Sequence, residues 1–209
     1  MIFGFLITAL LYASVGFGGG STYNALLILY DVDYLLIPKI ALTCNLIVVI
    51  GGIIRYQINY LIPWKKLLPI IVVSAPLAWL GGNIIIGKEL FLVVLGLSLL
   101  FSGFLLFFRK EEIHNFSKFI SSKLGVFFYS TMGGMIGFLS GLVGIGGGIF
   151  LSPTLHLTKA MPSKNIAAVS SVFIFINSLA GLSGQFSKTN NSNLIDNYFE
   201  YSWLFLAVF

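Results

Sequence analysis

The chain has 209 residues, of which 57% are hydrophobic and 9% charged, against about 25% charged in an ordinary soluble domain. Twenty phenylalanines and a mean hydropathy of +0.98 exclude a soluble fold. The net charge of +5 does not call for a nucleic-acid partner, because the basic residues fall between apolar segments, where the positive-inside bias puts them. One cysteine, Cys44, excludes an intramolecular disulfide framework and a multi-cysteine metal site.

Residues 2–15 are apolar and run into a glycine stretch. They lack the positive flank and small-residue cleavage site of a removed signal peptide. A short apolar piece over 20–30 follows, then a polar joint from Asp31 to Lys39 that contains Pro38. The next helix spans 40–58, with Arg55 and Gln57 near its end. Pro63, Trp64, Lys65 and Lys66 open a span over 67–87, with the tryptophan and lysines at its interfacial mouth. Residues 89–108 make another span, and Arg109 to Lys123 is the most polar loop. Residues 124–143 lead into a second glycine stretch, with a short piece over 148–157 after it. Lys159 to Lys164, with Pro162, joins it to a helix over 165–186. An Asn-rich segment, 187–197, precedes an apolar run from Tyr198 to Phe209. A span needs about 20 residues, so this run reads as an unfinished helix, and a truncated chain or gene fragment is expected.

The two glycine stretches are copies of one pattern. Val15-Gly16-Phe17-Gly18-Gly19-Gly20 returns 128 residues later as Val143-Gly144-Ile145-Gly146-Gly147-Gly148. Glycine costs a helix interior about 1 kcal/mol relative to alanine. In hydrocarbon, a freed backbone group costs several kcal/mol unless something satisfies it. Broken backbone at membrane depth therefore lines a cavity or is buried in protein, and paired breaks in two halves point to a transporter site. The match continues, with Ile40-Ala41 matching Ile166-Ala167 and the pair Cys44-Asn45 matching Ser170-Ser171. The competing reading is that the glycines only let helices pack closely.

The stretch Gly141-Leu142-Val143-Gly144-Ile145-Gly146-Gly147-Gly148, followed by Pro153 and Leu155, resembles the signature of the TauE/SafE sulfite exporter family, with Gly16 to Gly20 as its first-half counterpart. The likeness runs from Ile2 to about Gln185. It implies a multi-pass protein of the bacterial or archaeal inner membrane, with about eight helices in two repeats, that transports sulfite, sulfonates or related anions. The chain departs from the pattern in being shorter, in Ala25 where the second copy has Pro153, and in the more polar Ser21-Thr22-Tyr23-Asn24 after the first motif.

The chemistry suits an anion. A helix beginning at Gly20 or Gly148 presents free N–H groups and roughly half a positive charge at that end, which accepts an oxyanion without a cationic side chain. The expected binding residues are Gly16, Gly18, Gly19, Gly20, Ser21 and Asn45 in the first half. In the second they are Gly144, Gly146, Gly147, Gly148, Ser170 and Ser171. Thr22 and Ser152 could donate as well; His156 reads as a proton carrier or an interfacial residue. Arg55 reads as a snorkelling cation, and Asn177 as a cavity or interhelical residue. Asp31, Asp33, Glu89, Glu111 and Glu112 lie at ends or loops, with Glu200 borderline, so no carboxylate relay crosses a span.

Topology stays open between two solutions. If each broken stretch crosses once, the repeats are parallel; if each is a re-entrant hairpin, they are inverted. Both satisfy positive-inside. The expectation is an all-α polytopic membrane protein with two homologous repeats of glycine-broken helices. Residues 1–110 form the first repeat, 111–123 a polar loop, and 124–209 the second. The expected function is export of a small sulfur-containing anion by alternating access at a midplane site, in a lipid bilayer, with no cofactor. A channel-like anion pore and a non-transporting scaffold are the alternatives. An enzyme is not expected, because no paired carboxylates, Cys–His pair or metal cluster appears in the spans.

Overall fold

The computed structural model describes residues 1–107, 123–158, 160–188 and 198–209. The expected inter-repeat loop and the Asn-rich segment therefore fall almost wholly outside the described residues, as does Lys159. Nine helices are described: α1 (Ile2–Val15), α2 (Gly20–Leu29), α3 (Ile37–Ile58), α4 (Trp64–Asn83), α5 (Lys88–Phe107), α6 (Lys123–Val143), α7 (Gly148–Leu157), α8 (Ser163–Ser187) and α9 (Ser202–Val208). No strand occurs among the described residues. Five of the helices, α3, α4, α5, α6 and α8, are long and apolar enough to cross a membrane. The protein is an all-α, multi-pass membrane protein.

Some boundaries differ from the sequence reading. Helix α3 begins at Ile37 and takes in Pro38 and Lys39 from the polar joint. Proline is tolerated in a first turn, where its missing N–H is not needed. Helix α4 starts at Trp64 and ends at Asn83, before the expected 87.

Contacts fix the directions. Tyr23 stacks on Phe5 with ring centroids 4.8 Å apart, and the Met1 amine donates to the Tyr30 hydroxyl at 2.9 Å. Helix α2 therefore turns back along α1. Tyr56, near the end of α3, donates to Val15 O at 2.8 Å, so α1 and α3 finish at the same level. Helix α8 runs against α3, because Asn165 reaches Leu61 O (2.8 Å) while Lys39 lies 5.6 Å from the Phe186 ring centre. Helices α4 and α6 run parallel: Gly133 lies against Ile70, Gly137 against Ser74 and Gly141 against Ala78. A Cβ on Gly137 would stand 2.5 Å from Ser74 O, so the missing side chains set this close approach. Helix α7 starts beside Ile174 in mid-α8 and ends near the start of α8, turning back as α2 does. Both glycine-broken stretches are thus hairpins, and α1–α2–α3 runs opposite to α6–α7–α8.

One end of the bundle carries Arg55, Lys65, Lys66, Lys123 and Lys164, with no Asp or Glu among the described residues there. The other end mixes Lys39, Lys88 and Lys188 with Asp31, Asp33 and Glu89. Burial and the charge of Lys39 pull Lys188 down to about 8, and its ammonium donates to Ile84 O at 3.2 Å.

Candidate functional site between the glycine breaks

Helix α1 stops where Gly16 turns left-handed (φ 80°), and α2 starts after Gly19 does the same (φ 79°). At the second break Gly144, Gly146 and Gly147 adopt φ of 80°, 86° and 81°. An L side chain there costs roughly 1–2 kcal/mol, which accounts for glycine at these positions.

Each break frees carbonyls and N–H groups, and the two kinds fare differently. Several of the carbonyls, Val15 and Gly16 at the first break and Gly141, Val143 and Ile145 at the second, are met by side chains from elsewhere in the fold. Tyr56 donates to Val15 O, and the Ser171 hydroxyl to Gly16 O. Asn24 donates to Val143 O at 2.9 Å, Asn45 to Ile145 O at 3.1 Å, and Gln185 to Gly141 O at 2.8 Å. Asn45 and Ser171, which occupy matching places in the two halves, thus each hold the break of the opposite half. The N–H groups of Gly20, Ser21, Gly148 and Ile149, by contrast, meet no acceptor among the described residues.

Those four residues line one cavity of about 330 Å³, near the lower bound for small-molecule sites. Two helix N-termini, each equivalent to roughly half a positive charge, therefore share one small volume. Among the described residues no Lys, Arg, Asp or Glu lines it. Tyr12, Ser21, Ser152 and Ser163 add hydroxyls, and His156 stands in the last turn of α7. Phe17, Ile145 and Ile174 give apolar wall. The cavity reaches from the breaks to Ser163, exposed at the start of α8, at the basic end of the bundle. Among the described residues no group of three or more His, Cys, Asp or Glu gathers as a metal site.

Of the expected site residues, Gly18, Gly19, Gly20, Ser21 and Gly148 line the cavity. The others stand outside its lining. Gly16, Gly144, Gly146 and Gly147 shape the breaks, and Gly144 packs against Pro38. Asn45 and Ser171 are fully buried carbonyl donors, and Ser170 is fully buried with a hydroxyl that meets no partner among the described residues. Tyr12 and Ser163 escaped the sequence reading. Tyr12 sits one turn before Gly16, and its hydroxyl lies 3.2 Å from that of Thr22, so its polar tip in an apolar stretch was the available signal.

The profile of the family described as Sulfite exporter TauE/SafE matches residues 1–209. The chain belongs to the TauE/SafE family. Relatives in the family include a probable membrane transporter protein of Sinorhizobium fredii, 29% identical over 188 residues, covering 89% of this chain and 75% of the relative. A probable membrane transporter protein of Methanocaldococcus jannaschii is 31% identical over 191 residues, covering 87% of this chain and 69% of the relative. No solved structure matches the chain. Membership makes this protein a membrane transporter, and the cavity between the breaks is its candidate site.

Proposed function

We propose that the protein exports a small sulfur-containing anion, sulfite or an organosulfonate, across the inner membrane of a bacterium or archaeon. The reading rests on one observation. Side chains donate to carbonyls at both breaks, while the N–H groups at the starts of α2 and α7 meet no acceptor among the described residues and face a shared cavity. Such a cavity is positive without a cationic side chain among its described lining, and in a low-dielectric setting it favours a compact oxyanion. The opposed directions of α1–α2–α3 and α6–α7–α8 support two homologous halves, residues 1–110 and 124–209, related as inverted repeats. Transport then proceeds by alternating access around the site. Positive-inside places the basic end in the cytoplasm, so the cavity as seen faces inward.

Counterflow in proteoliposomes tests the reading. Internal unlabelled sulfite, thiosulfate, taurine or sulfoacetate should drive transient uptake of the labelled anion above equilibrium. Uptake that only equilibrates would mark a pore, and no saturable uptake of any of them would remove the transport reading.

A further inference from the structure

The face of α4 and α6 away from the glycine breaks carries a groove of about 480 Å³, walled by Val73 and Leu77 on one side and Thr131, Met135 and Phe138 on the other. Its floor is Gly134, where an added Cβ would stand 2.7 Å from Leu77 Cδ1 and 2.9 Å from Val73 Cγ1. The groove is apolar, and its rim is exposed, Met135 at 67%. Bilayer hydrocarbon surrounds such a face, so apolar lining alone says nothing about its occupant.

What lies above the groove does. The two helices run parallel, so both begin at the basic end. Lys66 precedes Val73 by seven residues and Leu77 by eleven, which puts all three on one helix face. Lys123 precedes Gly134 by eleven, with the same result on α6. At 1.5 Å per residue, Lys66 lies roughly 10 Å before Val73 along α4, and Lys123 roughly 12 Å before Thr131 along α6. Lys65 and exposed Trp64 flank the pair, and no Asp or Glu is present at this end among the described residues.

We propose that this face is a binding site for a phospholipid with a net negative headgroup. Lys66 and Lys123 hold the phosphate from two sides, and one acyl chain fills the gap over Gly134. The order along the face is that of a lipid, with the anionic headgroup at the basic end and the chains running over the apolar groove. A zwitterionic headgroup brings its own ammonium against the lysines and loses the advantage. The basic end is also the end that positive-inside assigns to the cytoplasm, where anionic lipids attract basic residues.

The test is native mass spectrometry of the full chain, carried through detergent with equal phosphatidylglycerol and phosphatidylcholine of matched chains. The wild type should retain phosphatidylglycerol roughly tenfold or more over phosphatidylcholine, from two surface lysines. The double variant K66Q/K123Q should lose that preference, and Thr131→Trp, which fills the groove from its exposed wall, should lower retention of phosphatidylglycerol severalfold. Lys88→Gln, at the opposite end, should change nothing. Equal retention of the two lipids, a preference that survives K66Q/K123Q, or retention indifferent to Thr131→Trp overturns the proposal. So does a dimer peak that Thr131→Trp abolishes, which would assign the groove to a second copy of the chain.

Discussion

The two glycine breaks share a pattern, and Gly16 and Gly19 turn left-handed as Gly144 and Gly147 do, but Gly146 is left-handed where its counterpart Gly18 is not, and the two breaks do not face the cavity equally. The first contributes Phe17, Gly18, Gly19, Gly20 and Ser21 to its wall. The second contributes Ile145, Gly148 and Ile149, while Gly146 is pressed against Asn45 and Ser178, and Gly147 against Phe173 and Ile136. Both breaks reach the cavity, the first with three of its glycines and the second with Gly148 alone. The difference teaches that local sequence sets the bend, whereas the neighbours decide whether the bend is reachable.

The sharpest way to break this comparison is to place a side chain at a left-handed glycine of each loop. Gly19→Val and Gly147→Val should both abolish anion binding, because a β-branched residue is strained at positive φ. They should differ in stability. A Cβ at Gly147 would stand 2.8 Å from Phe173 Cε1, while at Gly19 the nearest atom, Thr8 Cγ2, is at 3.0 Å. Thermal unfolding in detergent should show the larger loss for Gly147→Val. Equal losses would mean that the two loops are packed alike.

Next come the crossed carbonyl donors. Asn45→Leu orphans Ile145 O in the second break, and Ser171→Ala orphans Gly16 O in the first. A buried polar group left unsatisfied costs about 1–3 kcal/mol, so each variant should unfold several degrees lower. Asn45→Leu is expected to be the worse, since Asn45 also lies against Gly18 and Gly20 of the first break. A melting temperature unchanged in both would show that the carbonyls find other partners.

Hydroxyls on the wall should matter less. Ser21→Ala and Ser152→Ala should each weaken anion binding a few-fold by titration, at the net worth of about 1 kcal/mol for one hydrogen bond. The smallest effects belong to the charged candidates. His156→Gln should cost at most a few-fold, and Arg55→Gln, exposed at the end of α3, should leave binding unchanged. A large loss from either would move the anion away from the breaks.

The breaks were legible because glycine is expensive in a helix, and two matched runs in apolar sequence are hard to read otherwise. The hairpins were not, since the lysines and arginines satisfy positive-inside with either topology. Deciding needed Tyr23 on Phe5 and Tyr56 on Val15 O, contacts that no spacing predicts. Asn45 and Ser171 were recognised as polar groups near the site. Sequence could not tell that they point at carbonyls, because a side chain on a buried helix reads the same whichever neighbour it meets. Tyr12 and Ser163 come from outside the motif, and only the folding of α1 on α2 and of α8 on α7 brings them to one cavity.

The most direct test is saturable binding of sulfite and sulfoacetate to purified wild-type protein, Gly19→Val, and Gly51→Ala as a control at a glycine with open space around it. The account predicts saturable binding of at least one anion to wild type and Gly51→Ala, and none to Gly19→Val that remains folded by thermal unfolding. Undiminished binding of every anion by folded Gly19→Val would contradict it and return the glycines to a packing role.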